Sequence, residues 1–182
     1  DAEPIVKDIN PVTVALTGND QKLIKYHSDI YLDVNPKPMK EATVKRTSIL
    51  VNGTYNLATV AFTLPRTHFN FDNGTFTFFA EDSRKNTVYK DKTLEVIPYI
   101  PLTCAMTNAT LSLDGVMSFS VYGSFFNDSF GAENNALTLE YRYKANDEEY
   151  GDSWNTLDAS PVFDGTSYTA DAPIFGLSEG NT

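Results

Sequence analysis

Residues 117–144 read MSFSVYGSFFNDSFGAENNALTLEYRYK, two runs of alternating hydrophobicity on either side of a polar loop rich in Asn, Asp and Phe. Met117, Phe119 and Val121 alternate with Ser118, Ser120 and Tyr122. Leu137, Leu139, Tyr141 and Tyr143 alternate with Thr138, Glu140, Arg142 and Lys144. Period two puts one face of each run in a core and the other in water, the signature of half-buried β-strands. The stretch therefore reads as half of a β-sandwich.

The same patterning recurs along the chain. Val12, Val14 and Leu16 alternate with Thr13, Ala15 and Thr17 as a first strand, ended by Gly18-Asn19. Ile30, Leu32 and Val34 form a second, broken by Asn35-Pro36-Lys37-Pro38. Residues 44–51 form a third, closed by Asn52-Gly53, a strong hairpin signal. Val60, Phe62 and Leu64 mark a fourth; Phe76, Phe78 and Ala80 follow the turn Asp72-Asn73-Gly74, and Ser83-Arg84-Lys85-Asn86 reverses the chain into residues 87–97. Beyond Pro98-Tyr99-Ile100-Pro101, strands are expected over 103–113, after the turn Asp114-Gly115, and over 168–174 after Phe163-Asp164-Gly165-Thr166. Trp154 and Leu157 are expected to return to the core behind a polar excursion over 146–152. No long stretch keeps a 3.6-residue apolar period, so no helix is expected.

A minimal sandwich needs about 100 residues, so 182 residues accommodate two. Two prolines in four residues remove ladder donors and stiffen the join, which places one module at 1–97 and the second at 98–182. With 12 Phe, 10 Tyr and 41% hydrophobic residues, each module has material for a core. The fold class that follows is all-β, with two tandem β-sandwich modules.

Charge and motif content exclude several functions. A net charge of −10 repels a phosphate backbone, so no nucleic-acid partner is expected. No run reaches the ~18 apolar residues of a membrane span, and no charged leader with an apolar core opens the chain, so no membrane partner is expected either. Cys104 is the one cysteine; it excludes an internal disulfide and, in an apolar run, reads as a small core residue. His27 and His68 stand far apart without a close acidic or cysteine ligand pattern, and neither a nucleophile elbow nor a phosphate loop is present. No catalytic residue is assigned, and the protein is read as non-enzymatic.

Two loops are candidate sites. Phe125, Phe126 and Phe130 interleave with Asn127, Asp128 and Ser129, a composition that suits a sugar-binding surface and equally a plug at the end of a core. Trp154, with Tyr143, is a second aromatic candidate for contact with glycan. Asp147, Glu148, Glu149 and Asp152 cluster closely enough to gather around Ca2+, although their order does not match the helix-loop-helix calcium motif, and a solvated acidic loop explains them as well. The four Asn-x-Ser/Thr sequons, at Asn52, Asn73, Asn108 and Asn127, matter only in a eukaryotic secretory setting, and two coincide with turns.

GSFFNDSFGAENNALTLEYRYK with the following GDSW, upstream ALTGNDQKLIKYHSDIYL and the hairpin AEDSRKNT together resemble minor structural proteins of siphophages that infect Gram-positive bacteria, over roughly residues 10–182. The resemblance implies a virion component of the phage tail tip, built of immunoglobulin-like and fibronectin-like modules, extracellular, and partnered by other tail proteins and by a host cell-wall glycan or surface protein. It also implies two further strands after Thr182, so the second module as given lacks its last strands and the chain reads as an excerpt. In related hairpins Gly often stands where this chain has Lys85. Three functions follow: a structural and adhesion segment of a tail-tip protein, a carbohydrate-binding module, or an accessory module of a bacterial surface adhesin or enzyme.

Overall fold

The computed structural model describes residues 2–144, 148–174 and 176. The chain divides between Tyr99 and Ile100 into two units. Unit 1 also takes in Ser129–Asn134, a segment that the sequence boundary at residue 97 assigns to the second module.

Unit 1 contains β1 (Ile5–Asp8), α1 (Pro11–Thr17), β2 (Lys22–Ile24), β3 (Ile30–Asp33), β4 (Val44–Val51), β5 (Tyr55–Leu57), β6 (Ala61–Leu64), β7 (Thr75–Asp82), β8 (Thr87–Thr93) and β9 (Glu95–Ile97). Among the described residues, β1-β3-β6 form one antiparallel sheet and β5-β4-β7-β8 another, while β2 pairs with β9 in parallel. The two sheets face each other across one apolar core. Val6, Ile30, Leu32 and Leu64 come from the first; Ile49, Val51, Phe76, Phe78 and Ala80 come from the second. Three strands facing four is the layer arrangement of an immunoglobulin-like sandwich. The edge strand β8 carries Lys90, Asp91 and Lys92, charges that discourage pairing with another chain.

One expected strand is a helix. Residues 11–17 form α1, because local chemistry at both ends outweighs the alternation of Val12, Val14 and Leu16. Asn10 caps the N-terminus by accepting from the Val12 N–H, Pro11 occupies the first turn, where its missing N–H costs nothing, and Gly18 closes the helix at φ +67. The residues turned inward are Thr13 and Thr17, four apart, while Val12 is 64% exposed.

A buried carboxylate anchors this corner. Asp8, at the end of β1, is 2% exposed. It accepts from the Asn10 N–H at 2.9 Å, from Ser28 Oγ at 2.6 Å and from Thr13 Oγ1. Ser28 Oγ in turn accepts from the Ile24 N–H at 2.8 Å.

Unit 2 contains β10 (Ala105–Leu111), β11 (Met117–Ser124), β12 (Glu140–Tyr141), β13 (Asn155–Thr156), β14 (Val162–Asp164) and β15 (Ser167–Ile174). Its sheet runs β10-β11-β15-β14, with β12-β13 as a two-stranded ribbon. Phe119 and Val121 of β11 and Tyr168, Ala172 and Ile174 of β15 build the core with Leu157, and Leu137, Leu139 and Tyr141 pack against it. The alternation in 117–122 therefore holds. The run 137–144 keeps its inward face but pairs only over two residues, so it is a covering segment rather than a full strand.

Two stability measurements check this account. Asp8→Ala strands the buried Ser28 hydroxyl and the Asn10 N–H, leaves Thr13 only the Asn10 carbonyl, and is expected to destabilise unit 1 by about 3 kcal/mol, read from the urea midpoint of its transition. Lys85 adopts φ +66, which strains a residue with a Cβ. Lys85→Gly is expected to raise the same midpoint, by up to about 1 kcal/mol of stability.

Candidate functional site

The three phenylalanines of the central loop do not form a surface. Phe125, Phe126 and Phe130 are 5–7% exposed, so their ring faces are unavailable for stacking on a sugar. Phe125 is part of the unit 2 core, with the Phe163 ring 5.8 Å away. Phe130 belongs to unit 1, where its ring lies 6.2 Å from that of Tyr99. Of the polar residues between them, Asn127 and Asp128 are exposed. Phe125 thus plugs the core of unit 2, and the buried rings of Phe126 and Phe130 offer no stacking face.

Trp154 departs from expectation in the opposite sense. It is 53% exposed, whereas Leu157 is buried. The two stand three residues apart, and an extended chain sends residues of odd separation to opposite faces. With Leu157 inward, Trp154 points out.

The register of the ribbon then decides what stands beside it. Tyr141 pairs with Asn155, so the next step outward along each strand sets Arg142 against Trp154. The Arg142 guanidinium lies 4.6 Å from the Trp154 ring centroid and 4.7 Å from that of Tyr150. The Lys144 ammonium lies 5.3 Å from the Tyr150 ring, and Tyr143 stacks on Tyr141 with ring planes 15° apart. Tyr143 and Tyr150 are 45% and 46% exposed. Attraction between a cation and a ring face fixes rings that would otherwise swing freely. The outcome is a solvent-facing pair of rings, Trp154 and Tyr150, held on either side of Arg142, while Tyr143 stands with Tyr141 on the other face of the ribbon. Of the two expectations for Trp154, a core residue and an exposed aromatic, its 53% exposure fits the second.

The acidic candidate for Ca2+ is only partly described: Asp147 lies outside the described residues, and Glu148, Glu149 and Asp152 are exposed. Among the described residues, no three His, Cys, Asp or Glu side chains converge as a metal would require. His27 packs edge-on against Tyr99 at 4.6 Å, and its pKa is lowered by burial first and by the Arg66 charge second. His68 sits in the 3-10 turn Arg66–His68.

Cys104 is exposed, not a core residue. The preceding residue runs tightly over β11: Thr103 N–H donates to the Ser124 carbonyl at 3.1 Å, and a Cβ on Gly123 would stand 1.9 Å from the Thr103 carbonyl oxygen. Only glycine admits that approach, and it turns Cys104 outward. The Tyr168 hydroxyl donates to the same Thr103 carbonyl at 3.1 Å.

No protein-family model matches the chain, and no curated protein matches it. One solved structure, Dpr2 Ig1-Ig2 in complex with DIP-Theta Ig1-Ig3, is 12% identical, with 98% of this chain and 57% of that chain covered, at a TM-score of 0.31. The chain thus spans little more than half of that neighbour's length. At that TM-score neither the neighbour's fold nor its partners carry over to this chain.

Burial, and secondarily the Cys104 thiol beside it, pushes the Tyr168 hydroxyl up to about 12. The neutral phenol is the form the fold favours, so its contribution to stability is complete below the ordinary tyrosine pKa of about 10 and is lost as pH rises toward 12. Tyr31 is also raised, by its hydrogen bond to Asp33, so an absorbance titration at alkaline pH is expected to show two of the ten tyrosines ionising late, with the step near pH 12 removed by Tyr168→Phe.

Proposed function

We propose that this chain is a non-enzymatic adhesion and spacing segment of a phage tail-tip protein, whose second unit touches the host cell-wall glycan through Arg142, Tyr150 and Trp154. The observation that carries the reading is the Arg142 guanidinium held between the two rings, with the indole still 53% exposed. Large aromatic side chains fixed on a strand ribbon and left in solvent form a surface suited to a partner with a flat apolar face and a polar rim. A pyranose has that character: its axial C–H groups stack on a ring while its hydroxyls reach Arg142 and Lys144. The resemblance to siphophage minor structural proteins supplies the setting, in which serial sandwich modules project such a surface from the virion.

Saturable binding of the purified chain to intact Gram-positive cells and to their isolated wall glycans is the expected result. Trp154→Ala and Arg142→Ala are each expected to weaken it about tenfold while the thermal transition stays in place, as suits loss of ~1.4 kcal/mol of contact. Equal binding by the folded Trp154→Ala variant, or no binding by the unmodified chain, overturns the assignment.

A further inference from the structure

The outer face of the four-stranded sheet in unit 1 offers a separate surface, built by register alone. Ser48 of β4 pairs with Phe79 of β7, and Phe79 pairs with Tyr89 of β8, so these side chains form one row across the face turned away from the core. Arg46 and Glu81 form the row to one side; Asn56, Leu50 and Thr77 form the row to the other. Phe79 lies under a cover: the Arg46 guanidinium is 5.0 Å from its ring centroid and the Tyr89 ring is 4.9 Å away, tilted by 49°. Phe79 is consequently 7% exposed, whereas Tyr89 is 68% exposed. Arg46, Ser48, Asn56, Ala58, Phe79 and Tyr89 line a shallow depression of about 390 Å³.

We infer that this depression binds one neutral hexose or N-acetylhexosamine unit of a glycan, with Tyr89 as its stacking platform. Three observations select that occupant. The volume falls within the ~300–1,000 Å³ typical of small-ligand clefts. The lining pairs a flat, exposed ring with a neutral hydroxyl, Ser48, and a neutral amide, Asn56, which match the apolar face and the hydroxyl rim of a pyranose. Arg46 and Glu81 form an ion pair at 3.1 Å, and Asp91, paired with Thr77, adds a carboxylate to the same face, so an anionic unit finds no unbalanced cation. The ring also needs little ordering on binding, because Tyr89 stands on a strand hydrogen-bonded through β7 and rests against Phe79. This site lies wholly within unit 1 and does not depend on the Arg142 platform.

The test uses the full chain and a panel of soluble neutral oligosaccharides of hexose and N-acetylhexosamine, with binding followed by titration calorimetry. At least one panel member is expected to bind, Tyr89→Ala to weaken it about tenfold or more, and Tyr89→Phe to retain it, since stacking needs the ring and not the hydroxyl. Tyr89→Ala uncovers part of Phe79 and is expected to lower the unfolding temperature slightly while the chain stays folded, and Tyr89→Phe to leave it unchanged. Trp154→Ala, in the other unit, should leave this binding intact. The inference is overturned if no neutral oligosaccharide binds, if folded Tyr89→Ala binds as well as the unmodified chain, or if Trp154→Ala alone abolishes binding. Loss of cell binding in Trp154→Ala with Tyr89→Ala unaffected supports the Arg142 platform and rejects this one. Capture of a cell-surface protein by the Tyr89 face, with no saccharide bound, likewise rejects it.

Discussion

The carboxylate of Asp8 is the constraint on which the first unit's layout depends. A buried anion must find donors, and here they come from three places that the sequence keeps apart: the backbone at Asn10, the helix residue Thr13, and Ser28 in the turn after β2. Satisfying one group thus fixes the exit of β1, the start of α1 and the approach of β2 to β3. Among the described residues no buried side-chain nitrogen or oxygen lacks a partner, so none of these polar groups carries the penalty of an unmade hydrogen bond. The helix exists where it does because of this network. Seven residues are too few for a helix to persist on propensity, but a cap at Asn10 and a tether at Thr13 hold it.

That dependence explains which parts of the fold could be read in advance. Strands whose inner residues alternate over five or more positions, such as Ile49 and Val51 in β4 or Phe76 and Phe78 in β7, announce themselves because burial on one face dictates period two. Residues 12–16 imitate that period with three apolar side chains, yet Val12 ends up in solvent, and the deciding signals were Asn10-Pro11 before and Gly18 after. The parallel pairing of β2 with β9 brings together residues more than seventy positions apart, and nothing local in either segment encodes it. For the site, Trp154 and Arg142 share a face only through the pairing of Tyr141 with Asn155, which no local pattern encodes. The burial of Phe125, Phe126 and Phe130 was decided by tertiary packing, which the composition of a loop does not reveal.

The two units complete their sandwiches to different degrees. In unit 1 each sheet contributes a row of apolar side chains to a common core, and Ile30, Leu32, Ile49 and Phe76 are all fully buried. In unit 2 the layer facing the sheet is a two-stranded ribbon with its flanking segments. It covers β11 and β15 but leaves β10 open: Met106, paired with the buried Val121, is 57% exposed, and Leu111, paired with Met117, is 44% exposed. Asn108, at φ +56, marks an irregularity in β10 where the register shifts between Thr107 and Thr110. A bulged edge pairs poorly with a stray strand, so the irregularity protects an edge whose apolar side chains are uncovered.

Both units place an arginine over an aromatic ring on the outside of a sheet or ribbon, and the difference between the two arrangements bears on recognition. Arg46 also pairs with Glu81, and with Tyr89 it covers Phe79, so the guanidinium serves mainly to seat an inner ring while Tyr89 remains the exposed one. Arg142 lies between two rings that both stay about half exposed, and among the described residues its guanidinium donates to the Gly151 carbonyl at 3.5 Å. A guanidinium carries five N–H donors in one plane, so stacking between rings leaves donors at its edge for acceptors that approach along the same plane. The Arg142 platform therefore presents ring faces and hydrogen-bond donors together, whereas the Tyr89 face presents a ring beside neutral polar groups. Two surfaces on one chain thus combine apolar stacking with different polar rims, and that difference in polar chemistry is what would separate their ligands.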